Sequence, residues 1–138
     1  MMKYGKSVIT GFSFEEAIDA AKSLLRDEGF GVLCEIDVTT TLREKIAAEF
    51  RPYRILGACN PYFALEALQG EAHLGLLLPC NVVIQELSGE VIVSAIDAHA
   101  LLSVVDNSKL VAIADDVNAK LGRVLDSLAA NQPLAEVE

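Results

Sequence analysis

The stretch YRILGACNP, Tyr53 to Pro61, holds the junction between a strand and a helix and is the most informative segment for the fold. Side chains alternate between two faces from Tyr53 to Cys59, as in a strand. Asn60 is a preferred helix N-cap, and proline is favoured at the first helical position. The stretch therefore predicts a strand that ends at Cys59 and passes directly into a helix, which Gly70 closes.

The segments on either side continue this alternation of strands and helices. Capping boxes at Ser13 to Glu16 and at Thr41 to Glu44 predict two helix starts, and Ser88-Gly89 predicts a hairpin turn. The predicted elements are strand 3–10, helix 13–29, strand 30–38, helix 41–52, strand 53–59, helix 60–70, strands 82–87 and 91–96, a short helix in 98–105 and a long amphipathic helix over 110–128. We predict a single α+β domain over 1–130, ordered β-α-β-α-β-α-β-β-α around a mixed or largely antiparallel sheet, and a frayed tail over 131–138.

Strand 30–38 shows period-two alternation. Val32, Cys34 and Ile36 fall on one face, and Glu35 and Asp37 fall on the other. An apolar face normally turns inward, so we expect Cys34 to pack in the core.

Composition and charge exclude several classes of protein. With 52% hydrophobic residues in 138, the chain is too apolar for disorder. Its net charge of −9 repels phosphate backbones and anionic membrane surfaces, so we expect neither nucleic acid nor membrane as a partner. The N-terminus lacks the apolar core of a signal peptide, which predicts a cytoplasmic protein with three reduced cysteines. A mean hydropathy of +0.37 predicts a homo-oligomer, most simply a homodimer.

Two short motifs place a thiol beside an asparagine at the end of a regular element. They are Cys59-Asn60-Pro61 and Pro79-Cys80-Asn81. A helix N-terminus favours the thiolate of Cys59, and the fixed φ of Pro79 holds Cys80 in a defined direction at the entry to the hairpin. Cys59 and Cys80 are therefore the candidate catalytic residues, with Asn60 and Asn81 as candidate ligand contacts. The alternative is that both thiols are structural, because cysteine is among the most often buried residues.

Three further interpretations rest on weaker patterns. Cys59, His73, Cys80 and His99 could hold a transition metal, but they lack the short paired spacings of zinc motifs. Arg54 belongs to a basic cluster that could receive a small anion or could be a solvated helix face; the cluster is Arg43, Lys45, Arg51 and Arg54. No cofactor signature is present, and the sequence leaves open whether the protein is an enzyme.

The segment Tyr53 to Pro61, together with Gly75 to Val83 (GLLLPCNVV), resembles the family catalogued as domain of unknown function 302. The resemblance covers nearly the whole chain. It implies a small α+β domain with a largely antiparallel sheet that assembles as a homodimer, without an established activity.

These observations favour a cytoplasmic homodimer that binds a small molecule near Cys59 and Cys80, with the thiols available for redox or sulfur chemistry. The alternative is a noncatalytic interaction module with structural cysteines. A third hypothesis is a transition-metal carrier.

Overall fold

The computed structural model describes residues 2–131. The elements are β1 (Gly5–Thr10), α1 (Phe14–Asp27), β2 (Gly31–Asp37), α2 (Val38–Ile46), β3 (Tyr53–Cys59), α3 (Pro61–Gly70), a 3₁₀ turn (Leu74–Leu77), β4 (Cys80–Leu87), β5 (Glu90–Ile96), α4 (Ala98–Leu102) and α5 (Lys109–Ala130). The predicted α+β class and order of elements are confirmed. Of the predicted tail, only Asn131 lies within the described residues, where its carbonyl accepts a hydrogen bond from the Gly11 amide.

The five strands form one sheet in the order β1-β5-β4-β3-β2, and every neighbouring pair is antiparallel. This resolves the choice between a mixed and a largely antiparallel sheet. The β3–β4 pair is a hairpin whose long connection contains α3 and the 3₁₀ turn. Because hairpin strands pair from end to end, the last residue of β3 and the first of β4 are held side by side.

Helices α1 and α5 pack on one face of the sheet and bury their apolar stripes against it. The predicted capping box of α1 is present, since the Ser13 hydroxyl accepts from the Glu16 amide and the Glu16 carboxylate accepts from the Ser13 amide. The largest fully buried side chains come from both layers: Ile18, Leu25, Leu56, Leu74, Val82, Ile84, Val93 and Leu128. Within residues 2–131, no helix is both long enough and apolar enough to cross a bilayer.

The prediction for the second helix was wrong about its bounds, since the helix spans Val38–Ile46 and not 41–52. Helix α2 begins at Val38 and is capped by Asp37, whose carboxylate accepts from the Thr40 amide, so the capping box at Thr41 is not formed. None of its residues is buried, and Ile46 is 68% exposed. Asp37 directly precedes the first free backbone amides of α2, so its carboxylate caps the helix in place of the Thr41 hydroxyl.

A β-bulge at Leu33 reverses the predicted faces of β2. Val32 pairs with Ala58, but Cys34 pairs with Gly57, so Leu33 is an extra residue in the ladder. Every side chain after the bulge therefore turns to the face opposite to the one that simple alternation assigns. The prediction that Cys34 packs in the core was wrong: its thiol is exposed, on the side of the sheet away from α1 and α5.

The same reversal turns Glu35 and Asp37 towards the helices, where basic side chains meet them. Lys22 of α1 lies 2.6 Å from Glu35, and Arg54 of β3 pairs with Glu35 at 2.5 Å and with Asp37 at 3.4 Å. The guanidinium also lies 3.6 Å from Glu15 and above the Phe14 ring. Arg54 thus contacts a cluster of three acids and shares Glu35 with Lys22, so its guanidinium is engaged in ion pairs within the fold.

The cluster lowers the pKa of two carboxyl groups. The hydrogen bond from Lys22, followed by that from Arg54, holds the pKa of Glu35 below 4.5 against the opposing effect of burial. The Thr40 amide is the main cause for Asp37, and Arg54 adds to the lowering of its pKa below 3.8. Both carboxylates therefore stabilise the fold above those pH values, and the contribution is lost as the pH falls through their lowered pKa values.

We expect Arg54→Met to lower the free energy of unfolding at pH 7 by about 1–3 kcal/mol, because Glu35 and Asp37 lose their shared partner. The difference from the wild type should shrink as the pH falls below about 4, where the carboxylates become protonated. Urea denaturation at several pH values measures both effects. The control is Arg26→Met on the exposed side of α1, and an equal loss in that variant would contradict the prediction.

Candidate functional site

A cavity of about 270 Å³ lies at the end of the sheet where β3 and β4 are joined. Helices α3, α4 and α5 and the 3₁₀ turn close over it. Its wall is almost wholly apolar and consists of Phe30, Leu33, Ala58, Cys59, Asn60, Phe63, Ala64, Ala67, Leu68, Leu74, Leu78, Pro79, Cys80, Ala98, Leu101, Leu102, Ile113 and Val117.

The structure brings the two predicted thiols to this one cavity. Cys59 ends β3, Cys80 begins β4, and Cys80 pairs with Ala58 across the ladder, so the thiols are one residue apart in register. Both side chains are half-buried and free of any disulfide. Pro79 rests on Gly57, where a Cβ would come within 2.8 Å of its ring, so Gly57 allows the chain to enter β4 at this place.

The surroundings of Cys80 disfavour its charged form. Burial, with a smaller effect of the nearby Cys59, raises the pKa of the Cys80 thiol from 9.0 to about 11. The wall contains no Lys, Arg or His that would stabilise a thiolate. At neutral pH Cys80 is therefore a neutral, weakly polar contact, and the site lacks the electrostatics of a nucleophilic cysteine.

Asn60 lines the cavity, but its side chain is occupied by the fold. Its carbonyl oxygen accepts from the Tyr62 and Phe63 amides, at 3.1 and 3.4 Å, and so caps α3. Its amide nitrogen lies beside Gly29, a residue with a φ of +87° in the turn between α1 and β2. Asn60 is a positioning residue that fixes the start of α3 and hence the wall that α3 provides.

Two other candidate ligand contacts lie away from the cavity. Asn81 follows Cys80 in β4 and points to the opposite face of the sheet, where it is exposed beside Met2 and Tyr4. Arg54 lies four residues before Ala58 on β3 and is held in its acidic cluster. The structure thus separates the two asparagines of the Cys-Asn motifs, because successive residues of a strand point in opposite directions.

The histidines lie outside the cavity as well. His73 precedes the 3₁₀ turn and is exposed, and the His99 Nε2 atom lies 2.6 Å from an Asp115 carboxylate oxygen. In the part of the chain that the structure describes, no three His, Cys, Asp or Glu side chains are grouped to hold a metal ion. Nothing in the arrangement supports the transition-metal hypothesis.

Sequence reasoning missed most of the cavity wall. Leu33 reaches it only because the bulge displaces that residue, and Leu101 and Ile113 come from helices far along the chain. One signal was present: α3 carries small residues three apart, Ala64 and Ala67, on the side that faces the cavity. Small side chains on an inward helix face leave space that larger ones would fill.

Comparisons with known proteins give one consistent result. Residues 6–128 match the model of the family described as domain of unknown function DUF302. The chain is similar to a crystal structure of an uncharacterized conserved DUF302 protein from Bacillus stearothermophilus, with 30% identity and a TM-score of 0.86 over 92% of this chain and 99% of that one. A search of curated proteins finds no match.

We expect native Cys80 to resist alkylation by iodoacetamide at pH 8. A pKa of about 11 instead of 9.0 leaves it with roughly a hundredth of the thiolate of an ordinary thiol. The exposed Cys34 should react first, as followed by mass spectrometry of peptides from the native protein. As a control, all three cysteines should react alike in denaturant. If native Cys80 is modified as fast as Cys34, Cys80 is not a neutral thiol with a raised pKa.

We also expect the two asparagines to differ in their effect on stability. Asn60→Ala removes the α3 cap and should lower the free energy of unfolding by about 1 kcal/mol, whereas Asn81→Ala removes an exposed side chain and should change it by less than about 0.5 kcal/mol. Chemical denaturation of the two variants tests this, and equal losses would show that the cap is not the role of Asn60.

Proposed function

The chain belongs to the DUF302 family, and on that basis we propose that it is a homodimer whose cavity binds a small, uncharged and mostly apolar molecule. Cys59 and Cys80 both line the site, and Cys80 contacts this ligand as a neutral thiol. The observation that carries the proposal is a preformed cavity of about 270 Å³ with an almost entirely apolar wall.

The size of the cavity limits the ligand. An apolar cavity of about 150 Å³ stays dry and takes up benzene, so this one, at about 270 Å³, accommodates a molecule of roughly ten non-hydrogen atoms. A bicyclic aromatic compound or a medium-length aliphatic chain fits that volume. A charged group would be desolvated without a partner in the wall, which selects against ionised ligands.

An apolar rim leads from solvent into the cavity. Leu33 is 69% exposed and Leu68 is 40% exposed, although both line the cavity. Exposed apolar side chains that continue into an internal space are typical of a ligand entrance. We therefore place the mouth of the site between the β2 bulge and α3.

The thiols contribute polarisability and weak hydrogen bonding to ligand contacts. Sulfur packs favourably against aromatic rings, and a thiol is a weak donor. The raised pKa of Cys80 and the absence of a cation from the wall favour binding over redox or sulfur chemistry. We place the protein in the cytoplasm, a reducing compartment in which three free cysteines persist.

The second candidate is the noncatalytic interaction module. One observation favours it: the sheet face away from α1 and α5 bears exposed isoleucines, including Ile36 at 46% exposure. Self-association through that face is compatible with ligand binding, because the cavity lies on the helical side.

We expect indole to bind the wild-type protein saturably and 1-naphthalenesulfonate to bind at least tenfold more weakly, because the wall cannot solvate a sulfonate. Ala67→Leu should reduce indole affinity at least tenfold without loss of stability, since the added atoms occupy cavity space. Chemical-shift titration by NMR measures the binding.

The matched control is Ala72→Leu, which adds the same atoms to an exposed residue just beyond α3 and should bind indole as the wild type does. The proposal fails if no neutral probe saturates, if the sulfonate binds equally well, or if Ala67→Leu retains wild-type affinity.

A further inference from the structure

The sheet has a second face that no helix of residues 2–131 covers, and we call it the open face. Its residues alternate with the buried ones along each strand. They are Gly5, Ser7 and Ile9 of β1, Cys34 and Ile36 of β2, Tyr53, Ile55 and Gly57 of β3, Asn81, Val83, Gln85 and Leu87 of β4, and Glu90, Ile92, Ser94 and Ile96 of β5.

The distribution of charge between the two faces is the reverse of that in a solvated sheet. An antiparallel sheet with one wet face normally carries its charged residues there. Here the charged strand residues on the helical side are Lys6, Glu35, Asp37, Arg54 and Glu86. Glu90, beside the hairpin turn, is the one charged strand residue on the open face. In a chain of 31 charged residues, the strand residues at the centre of the open face are therefore uncharged. The cation nearest to them is Arg51, which precedes β3 and donates to Gln85 at 2.9 Å.

The centre of the open face is a row of branched aliphatic side chains. Val83 of the middle strand pairs with Ile55 on one side and Ser94 on the other, and Ile36 extends the row to the β2 edge. Val83, Ile55 and Ser94 are half-buried within one chain, and Ile36 is exposed. The hydroxyls of Ser7 and Ser94, beside this row, are 2.6 Å apart and hydrogen-bond to each other.

We propose that the open face is the surface on which two copies of this chain meet, sheet against sheet. This rests on the homodimer in the proposed function and names its interface. A second copy fits better than an unlike partner, because a neutral patch can face itself in two chains that each carry −9. The bulge at Leu33 contributes by turning Glu35 and Asp37 away from this surface.

The area of the open face suffices for a specific dimer. Five strands spaced about 4.8 Å apart and about six residues long cover roughly 24 by 20 Å, or about 480 Å² per copy before side-chain relief. Two such faces amount to about 960 Å² before side-chain relief, close to the ~1,000 Å² of total buried surface that marks a specific interface. Sheets packed face to face lie about 10 Å apart, which Val83, Ile55 and Ile36 can fill.

The test measures the mass of the full-length protein by analytical ultracentrifugation over a concentration series. We expect the wild type to sediment as a dimer. Val83→Glu places two like charges at the centre of the interface and should raise the dimer dissociation constant at least roughly thirtyfold. Ile36→Glu, at a residue already 46% exposed, should act in the same direction if Val83→Glu impairs folding.

Leu65→Glu is the matched control, because Leu65 is a 60% exposed apolar residue of α3 on the helical side. It should leave the dimer intact, and circular dichroism should show all variants folded. A monomeric wild type would refute both the homodimer and its interface. A wild-type dimer that Val83→Glu and Ile36→Glu leave unchanged, or that Leu65→Glu dissociates, would refute the interface alone.

Discussion

One extra residue in an edge strand controls how the two faces of this sheet are used. Without the bulge at Leu33, Glu35 and Asp37 would point away from the helices, and Cys34 would enter the core. With it, the two carboxylates meet Lys22 and Arg54 on the helical side, and Ile36 joins the apolar row of the open face. The bulge thus couples an ion-pair cluster, an exposed thiol and a neutral sheet face.

The cavity, in contrast, is formed by the long connection between the paired strands β3 and β4. Antiparallel pairing holds the end of β3 beside the start of β4, and the connection between them must loop outward and return. Helix α3 and the 3₁₀ turn form that loop and enclose the space, with Asn60 fixing where α3 starts. The approach of Cys59 and Cys80 follows from strand pairing, whatever their chemistry.

The protonation state of Cys80 distinguishes a binding site from a site with a reactive thiolate. Cys59 precedes the N-cap of α3, a position that suggests a thiolate from sequence, but a helix dipole acts only close to its end and competes with desolvation. At Cys80 desolvation dominates and raises the pKa to about 11. The wall of the cavity holds no Lys, Arg or His that could reverse this balance. The cavity is therefore suited to an uncharged ligand.

Local signals in the sequence determined the number, order and type of elements, and they located Ser13 and Asn60 as caps, because capping and periodicity act over three or four residues. They also identified Cys59 and Cys80 as residues that end regular elements. Only the tertiary structure decided which face of β2 is inward, since a bulge is defined by its partner strand. Strand pairing likewise decided that the thiols meet while Asn81 and Arg54 stay apart, because contacts between distant residues depend on register, which no short stretch of sequence contains.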